Sequence, residues 1–166
     1  MFPKPIFILF LLFVLGCAQQ QADDLPLPDL LSETEKQMIL KEQNPKPHVK
    51  AVLRVAEARI KSASLLSQDN QIQSAAQDLG AFLALVIYAD TYTRKLPAAK
   101  NKDRNHCLKQ IEQAIFKQTR TLEAATRALP LEARESVEAQ IDEVKKIRLR
   151  AINDLLGGGH VINSSN

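Results

Sequence analysis

The residue types best suited to chemistry in this chain stand close together at Asp103, His106 and Cys107. They are the types of a thiol nucleophile, its base and an acid that orients the base. Adjacent residues on a helix point about 100° apart, however, so His106 is not held against the Cys107 sulfur. We therefore predict no catalytic residue here and interpret Cys107 as a small apolar residue beside a helix seam.

Metal and cofactor sites are not indicated by the residue spacing either. A dinuclear metal bundle needs two inward-facing Glu-x-x-His pairs, and no glutamate stands three residues before a histidine. The two cysteines, Cys17 and Cys107, give no zinc-like spacing and no Cys-x-x-Cys-His haem attachment. Glu132, Glu135 and Glu138 are predicted to lie on a solvated face early in a helix. We predict no metal, no cofactor and no enzymatic activity.

Composition and charge favour one all-helical domain that does not bind nucleic acid. The 166 residues include 45% hydrophobic and 25% charged types, no tryptophan and five glycines. A net charge of +3 is too small to imply a nucleic-acid partner. The charge is uneven, because residues 98 to 130 carry seven bases and three acids. Helical spacing predicts that the basic side of this segment is a stripe of Lys102, Lys109, Gln113, Arg120 and Arg127.

Apolar residues recur at steps of three and four in four successive segments, which predicts four amphipathic helices. Ser32 and Glu35 form a capping box that opens a shorter helix through about Gln43. The four long helices are expected from Pro47, after a cap at Asp69, from about Lys102 to Leu129 and after Pro130. We predict an all-α, up-down-up-down four-helix bundle over residues 30–156, with a short extra N-terminal helix and a disordered tail at 157–166.

The second long helix has an apolar segment, LGAFLALVIYA over residues 79–89, that is apolar on every side. Such helices are covered all round. Residues 30–43 fold back over the extra face in one interpretation; in the other, an exposed patch serves self-association or a partner. The candidate residues of that patch are Phe82, Leu85, Ile87, Tyr88 and Tyr92. Small residues one turn apart are expected to admit a neighbouring backbone, at Ala76, Gly80 and Ala84.

The first residues have the layout of a signal peptide: Lys4, then the apolar run IFILFLLFVL over residues 6–15, then Gly16 and Cys17. The run is about half of the roughly 20 residues that a membrane-spanning helix needs. Val14-Leu15-Gly16-Cys17 resembles the lipobox of bacterial lipoproteins. The resemblance covers residues 1–17 only, and it implies cleavage before Cys17 and attachment of lipid to that cysteine.

The resemblance implies a signal peptide at 1–16, and the polar, proline-punctuated sequence that follows Cys17 predicts a lipidated tether at 17–29. Ala18, rather than aspartate, follows the cysteine, which by resemblance to enterobacterial sorting favours the outer membrane, facing the periplasm. Our leading hypothesis is a non-catalytic lipoprotein of the bacterial cell envelope, anchored to the membrane through Cys17. It acts through contacts with a protein or an anionic envelope polymer. The alternative is a periplasmic carrier or chaperone that holds an apolar ligand or an unfolded chain beside residues 79–89.

Overall fold

The structure, a computed structural model, describes residues 25–157. The predicted signal peptide, Cys17, most of the predicted tether and residues 158–166 lie outside this range. Five α-helices and a 3-10 turn make up the described chain, which contains no strand. They are α1 (Glu33–Leu40), α2 (Pro45–Gln68), α3 (Ile72–Lys95), the turn Ala98–Lys100, α4 (Asn101–Ala128) and α5 (Leu131–Leu155). The predicted all-α bundle with a short N-terminal helix is confirmed.

Local capping chemistry sets the first helix boundaries. The Ser32 hydroxyl accepts a hydrogen bond from the Glu35 backbone N–H at 3.3 Å, and the Glu35 carboxylate accepts one from the Ser32 backbone N–H at 2.8 Å. This is the predicted capping box, and it satisfies two donors that a helix start leaves open. The helix ends at Leu40, and α2 begins at Pro45 rather than Pro47, because proline is well suited to the first helical position.

The turn between α2 and α3 differs from the sequence prediction. Asp69 does not cap α3; it is the last, half-helical residue of α2. Asn70 then takes a left-handed conformation with φ of 59°, which asparagine tolerates better than most residues. The Gln71 backbone N–H donates to the Leu66 carbonyl at 2.8 Å, which closes the end of α2. The turn between the two helices is therefore formed by the C-terminal cap of α2 and not by an N-terminal cap of α3.

The four long helices alternate in direction, and their order around the bundle puts parallel helices side by side. Lys46 pairs with Asp103 at 2.9 Å, and Glu57 pairs with Lys117 at 3.0 Å, so α2 and α4 run parallel. Helix α5 packs against α3 and α4, whereas α2 and α5 make no contact. The order around the bundle is therefore α2, α3, α5, α4, and the α4–α5 face is opposite the α2–α3 face.

Helix α3 packs against the three other long helices, as α4 does, and most of its residues from Leu79 to Thr93 are buried. Within residues 25–157 it is the one helix whose length and composition would allow it to cross a membrane. A core helix has the same composition, since it too is covered on all sides. The buried Asp90 of α3 is held by Arg94 at 2.9 Å and by Arg150 of α5 at 3.2 Å. Packing inside the bundle thus explains the apolar composition of α3, and the two arginines explain how Asp90 can be buried.

The α2–α3 face carries a cover made of the N-terminal segment and α1. Leu31 and Ile39 are buried and belong to the hydrophobic core, and Leu25 and Leu27 pack against it. Arg59 of α2 donates to Glu35 of α1 and to Asp78 of α3, and so fastens the cover to both helices. None of the described elements covers the opposite α4–α5 face in this way.

We expected the small residues of α3 to admit a neighbouring backbone, and this prediction is wrong at Gly80. A Cβ added there would meet a single neighbour, the side-chain Cδ1 of Leu30, at 3.8 Å, which is an ordinary van der Waals distance. No backbone approaches closely enough to require glycine.

We therefore expect Gly80→Ala to raise the free energy of unfolding by about 0.5 to 1 kcal/mol, because alanine costs less backbone entropy in a helix. Urea unfolding followed by circular dichroism measures this, and a destabilised variant would contradict the open geometry at this position.

Candidate functional site

The residues proposed as an exposed interaction surface lie mostly inside the protein. Phe82, Leu85, Tyr88 and Tyr92 are buried, and Ile87 is partly buried against the core. The exposed-patch interpretation therefore does not hold, because α3 is enclosed by three helices and by the N-terminal cover. Beside residues 79–89 the structure leaves a smaller cavity of about 250 Å³, which residues of α2, α3 and α4 line and which Phe82 and Val86 border. Cys17, the predicted lipidation residue, lies outside the described residues.

Tyr88 and Tyr92 form a buried aromatic cluster with His48 of α2. The His48 ring stacks on Tyr92 with centroids 4.4 Å apart, and its Nε2 lies 3.1 Å from the Tyr88 hydroxyl. Its Nδ1 lies 3.0 Å from the Glu42 carbonyl; because a carbonyl only accepts, Nδ1 donates there. Burial, with a smaller effect of Tyr92, raises the pKa of Tyr88 to about 12. The cluster therefore fastens the α1–α2 link to α3 and presents no free base.

Asp103, His106 and Cys107 do not form a nucleophile with its base. Cys107 is fully buried, whereas His106 is exposed on the outside of α4. Burial, aided by Asp103, raises the pKa of the Cys107 thiol to about 11, which opposes formation of the reactive thiolate. Among residues 25–157, no group of three or more histidines, cysteines and carboxylates could hold a metal ion.

Cys107 is therefore expected to resist a thiol reagent while the protein is folded. At about pH 8, iodoacetamide should leave it unmodified in native buffer and should modify it fully in denaturant. Mass spectrometry of the peptide that contains Cys107 measures the difference. Rapid modification under native conditions would show a thiol that is open to solvent and would contradict its burial.

Arg59 of α2 holds the carboxylates of Glu35 and Asp78 together, and this cluster shifts the pKa of Glu35. Burial alone would raise the pKa of Glu35, but hydrogen bonds from Arg59 and Ser32 outweigh it and hold the pKa below its usual value. A lowered carboxyl pKa stabilises the folded state above the unfolded pKa, and this stability is lost as pH falls through the folded pKa. The cluster thus makes attachment of the α1 cover sensitive to acid.

We expect α1 to lose hydrogen-exchange protection between about pH 6 and about pH 3, relative to α3, as Glu35 becomes protonated. A Glu35→Gln variant, which cannot titrate at this position, should show low protection of α1 at both pH values. Exchange measured by mass spectrometry, corrected for the intrinsic pH dependence, reports both. An unchanged acid response in the variant would assign the effect to another carboxyl group.

An opening that could admit a ligand lies on the uncovered α4–α5 face. It is a groove of about 480 Å³ that we call the α4–α5 groove. Its apolar walls come from the inner sides of both helices, at Ile115, Leu122, Ile141 and Val144, and from the exposed Leu149 of α5. Thr119 and Thr126 also line it; each turns its hydroxyl back to the carbonyl four residues earlier, at 2.9 and 2.8 Å. Both threonines therefore present mainly their methyl groups to the groove.

Charged side chains form the edge of the α4–α5 groove. Arg127, Lys145 and Arg148 line it together with a single acid, Glu123, so its lining has an excess of two positive charges. The Arg148 guanidinium lies 4.8 Å from the centre of the Phe116 ring. Phe116 is 64% exposed and Leu149 63% exposed, so an apolar side chain projects from each helix beside the groove.

The predicted basic stripe continues this edge along α4. Its members are all exposed, at Lys102, Lys109, Gln113, Arg120 and Arg127. Arg127 joins the stripe to the groove, because it belongs to both. The stripe was predicted from helical spacing, whereas the groove was not, since a gap between two helices is not visible in the periodicity of either. A sequence feature that could have drawn attention to it is Phe116, an apolar residue on the charged side of α4.

The fold and the groove together define a class: an all-α bundle with a cover on one face and an apolar, cation-edged groove on the opposite face. Compared with known protein families, curated proteins and solved structures, the chain gives no match. The geometry of the groove and the N-terminal sequence are therefore the features that bear on function.

Proposed function

We propose that this protein is a non-catalytic, membrane-tethered binding protein of the bacterial cell envelope, and that it binds its partner through the α4–α5 groove. The observation that carries the proposal is the uncovered face with its apolar walls and cationic edge. Exposed apolar surface is costly in water, and where it is concentrated and rimmed by polar residues it commonly serves binding. The lipobox-like sequence at Val14–Cys17 supports the tether.

Two kinds of partner fit this role. The basic stripe favours an envelope protein or an anionic envelope polymer, because its cations attract negative charge over the length of α4. The groove favours a carrier role with an apolar ligand, because its volume lies within the range of about 300 to 1,000 Å³ that is typical of small-molecule sites. The carrier site then lies between α4 and α5 rather than beside residues 79–89.

Crosslinking in living bacteria tests the binding role. A photoreactive amino acid replaces Leu149 at the groove or, as the matched control, Leu40 on α1; the two side chains are 63% and 62% exposed. We expect one adduct of constant mass at position 149 and none of that mass at position 40. Equal adducts at both positions, or no adduct at 149, would contradict binding in the groove.

Membrane fractionation of a Cys17→Ser variant tests the tether. We expect the parent chain to be cleaved before Cys17 and to sediment with membranes after washing with salt, because several acyl chains give durable anchoring. The variant should remain uncleaved and lack bound lipid, which mass spectrometry detects. A variant that is cleaved and sediments as the parent does would contradict lipid attachment at Cys17.

A further inference from the structure

We propose that the ligand of the α4–α5 groove is an anionic amphiphile with a single acyl chain, such as a long-chain fatty acid. The acyl chain lies between the two helices, and the carboxylate binds the cations at the groove edge. The inference rests on the proposed binding role and names the chemistry of its ligand.

The shape and lining of the groove suit an acyl chain. Its α4 wall extends from Ile115 to Arg127, which is about 18 Å at 1.5 Å per residue. The walls along this length are aliphatic side chains and threonine methyl groups. Burying each methylene group there favours binding, so a long chain gains affinity from each turn of helix that it passes.

The charges at the groove edge suit a single anionic group. Arg127 has no ion pair among the described residues; its Nε donates to the Glu123 carbonyl at 3.3 Å. Lys145 pairs with Asp142, but both side chains are more than half exposed, so the pair is weak and Lys145 can turn to an anion. Arg148 is more firmly held, by Glu112 and by the Phe116 ring. An anion at this edge gains charge-assisted hydrogen bonds, which are stronger than those between neutral groups.

The same charges argue against two other occupants. A second copy of the chain, related by a two-fold axis, would bring the groove lining, with its excess of two positive charges, against an identical lining, and the two net charges would repel. A long acidic helix would bring some of its carboxylates against Glu112, Glu123 and Asp142, which alternate with the cations. One terminal anion on an apolar chain avoids both penalties.

Quenching of a single tryptophan tests the ligand. The chain has no tryptophan, so Phe116→Trp places a unique fluorophore beside the groove, and Met38→Trp places one on α1 as the control. Each full chain is carried on phosphatidylcholine vesicles and titrated with dibrominated stearate, whose bromines quench tryptophan at short range. We expect saturable quenching at position 116 and only weak, unsaturable quenching at position 38.

Two further comparisons test recognition of the anionic group. The methyl ester of the same acid has no charge, and it should need about tenfold more ligand for half-maximal quenching. The double variant Arg127→Gln, Lys145→Gln should show a similar loss, whereas Lys41→Gln, Lys95→Gln, with the same change in net charge, should bind as the parent does. Equal affinity for acid and ester would overturn the proposed role of the cations.

The outcomes separate the ligand from the binding role. Equal quenching at positions 116 and 38 would overturn the proposal. So would quenching at 116 by brominated phosphatidylcholine to the same extent, because it would show contact with the bilayer rather than a bound ligand. If the acid fails while the photoreactive group at position 149 captures a partner of constant mass, the ligand assignment falls and the binding role stands. If both fail, the proposed function falls too.

Discussion

Replacing Phe82 by alanine is expected to lower the free energy of unfolding by about 3 to 5 kcal/mol, because the truncated ring leaves a cavity in the packed core. Phe82 is 2% exposed and lies on α3, which is packed against the three other long helices. This loss is a large fraction of the roughly 5 to 15 kcal/mol by which most domains are stable. Denaturant unfolding followed by circular dichroism measures it.

The chain supplies a matched control in Phe116, which is 64% exposed on α4. We expect Phe116→Ala to change the free energy of unfolding by no more than about 0.5 kcal/mol, since an exposed side chain leaves no cavity. The same substitution at two phenylalanines thus separates a core residue from a surface residue. Similar losses at both positions would contradict the burial of the apolar segment at 79–89.

Replacing Arg59 by leucine is expected to lower the free energy of unfolding by about 2 to 3 kcal/mol, because it leaves two partly buried carboxylates without their cation. Glu35 and Asp78 both bind this guanidinium, with side chains 20% and 12% exposed. The effect should be concentrated at the N-terminal cover, where hydrogen exchange of α1 is expected to rise more than that of α3. Denaturant unfolding and hydrogen exchange together measure both effects.

Lys61→Leu is the control for this substitution, because Lys61 lies on the same helix and pairs with Glu57 at 2.9 Å, but 63% of its side chain is exposed. Exposed ion pairs contribute about 0 to 1 kcal/mol, so this variant should unfold nearly as the parent does. An Arg59→Leu variant with an unchanged cover would show that hydrophobic contacts of Leu31 and Ile39 hold α1 without the ion cluster.

The helices were predictable from the sequence because their causes are local. The Ser32–Glu35 capping box, the spacing of apolar residues in α4 and the glycine after α5 each depend on neighbours within a few residues, and the structure has all three. Asp69 was misassigned because the same short polar residue suits either end of a helix, and the left-handed conformation of Asn70 decides which end it takes.

The cover of α3 and the α4–α5 groove were not predictable, because they depend on which helices become neighbours. The all-apolar segment at 79–89 is explained by enclosure within the bundle, and one sequence alone does not say whether a helix, a segment such as 25–31 or a partner supplies that cover. The α4–α5 groove is open because the N-terminal cover lies on the opposite face. The contacts of Leu31, Ile39 and Arg59 decide which face the cover occupies, and the periodicity of a helix does not predict such contacts.

Filling the groove tests the central claim most directly. Thr119 lines the α4–α5 groove, so Thr119→Trp places an indole ring in it, whereas Thr34→Trp adds the same ring to the exposed side of α1. The measurement is a titration of the purified full chain with a dye that fluoresces in apolar surroundings. We predict saturable binding to the parent chain and to Thr34→Trp, and loss of that binding in Thr119→Trp. Undiminished binding by a folded Thr119→Trp variant would contradict the groove as the binding site.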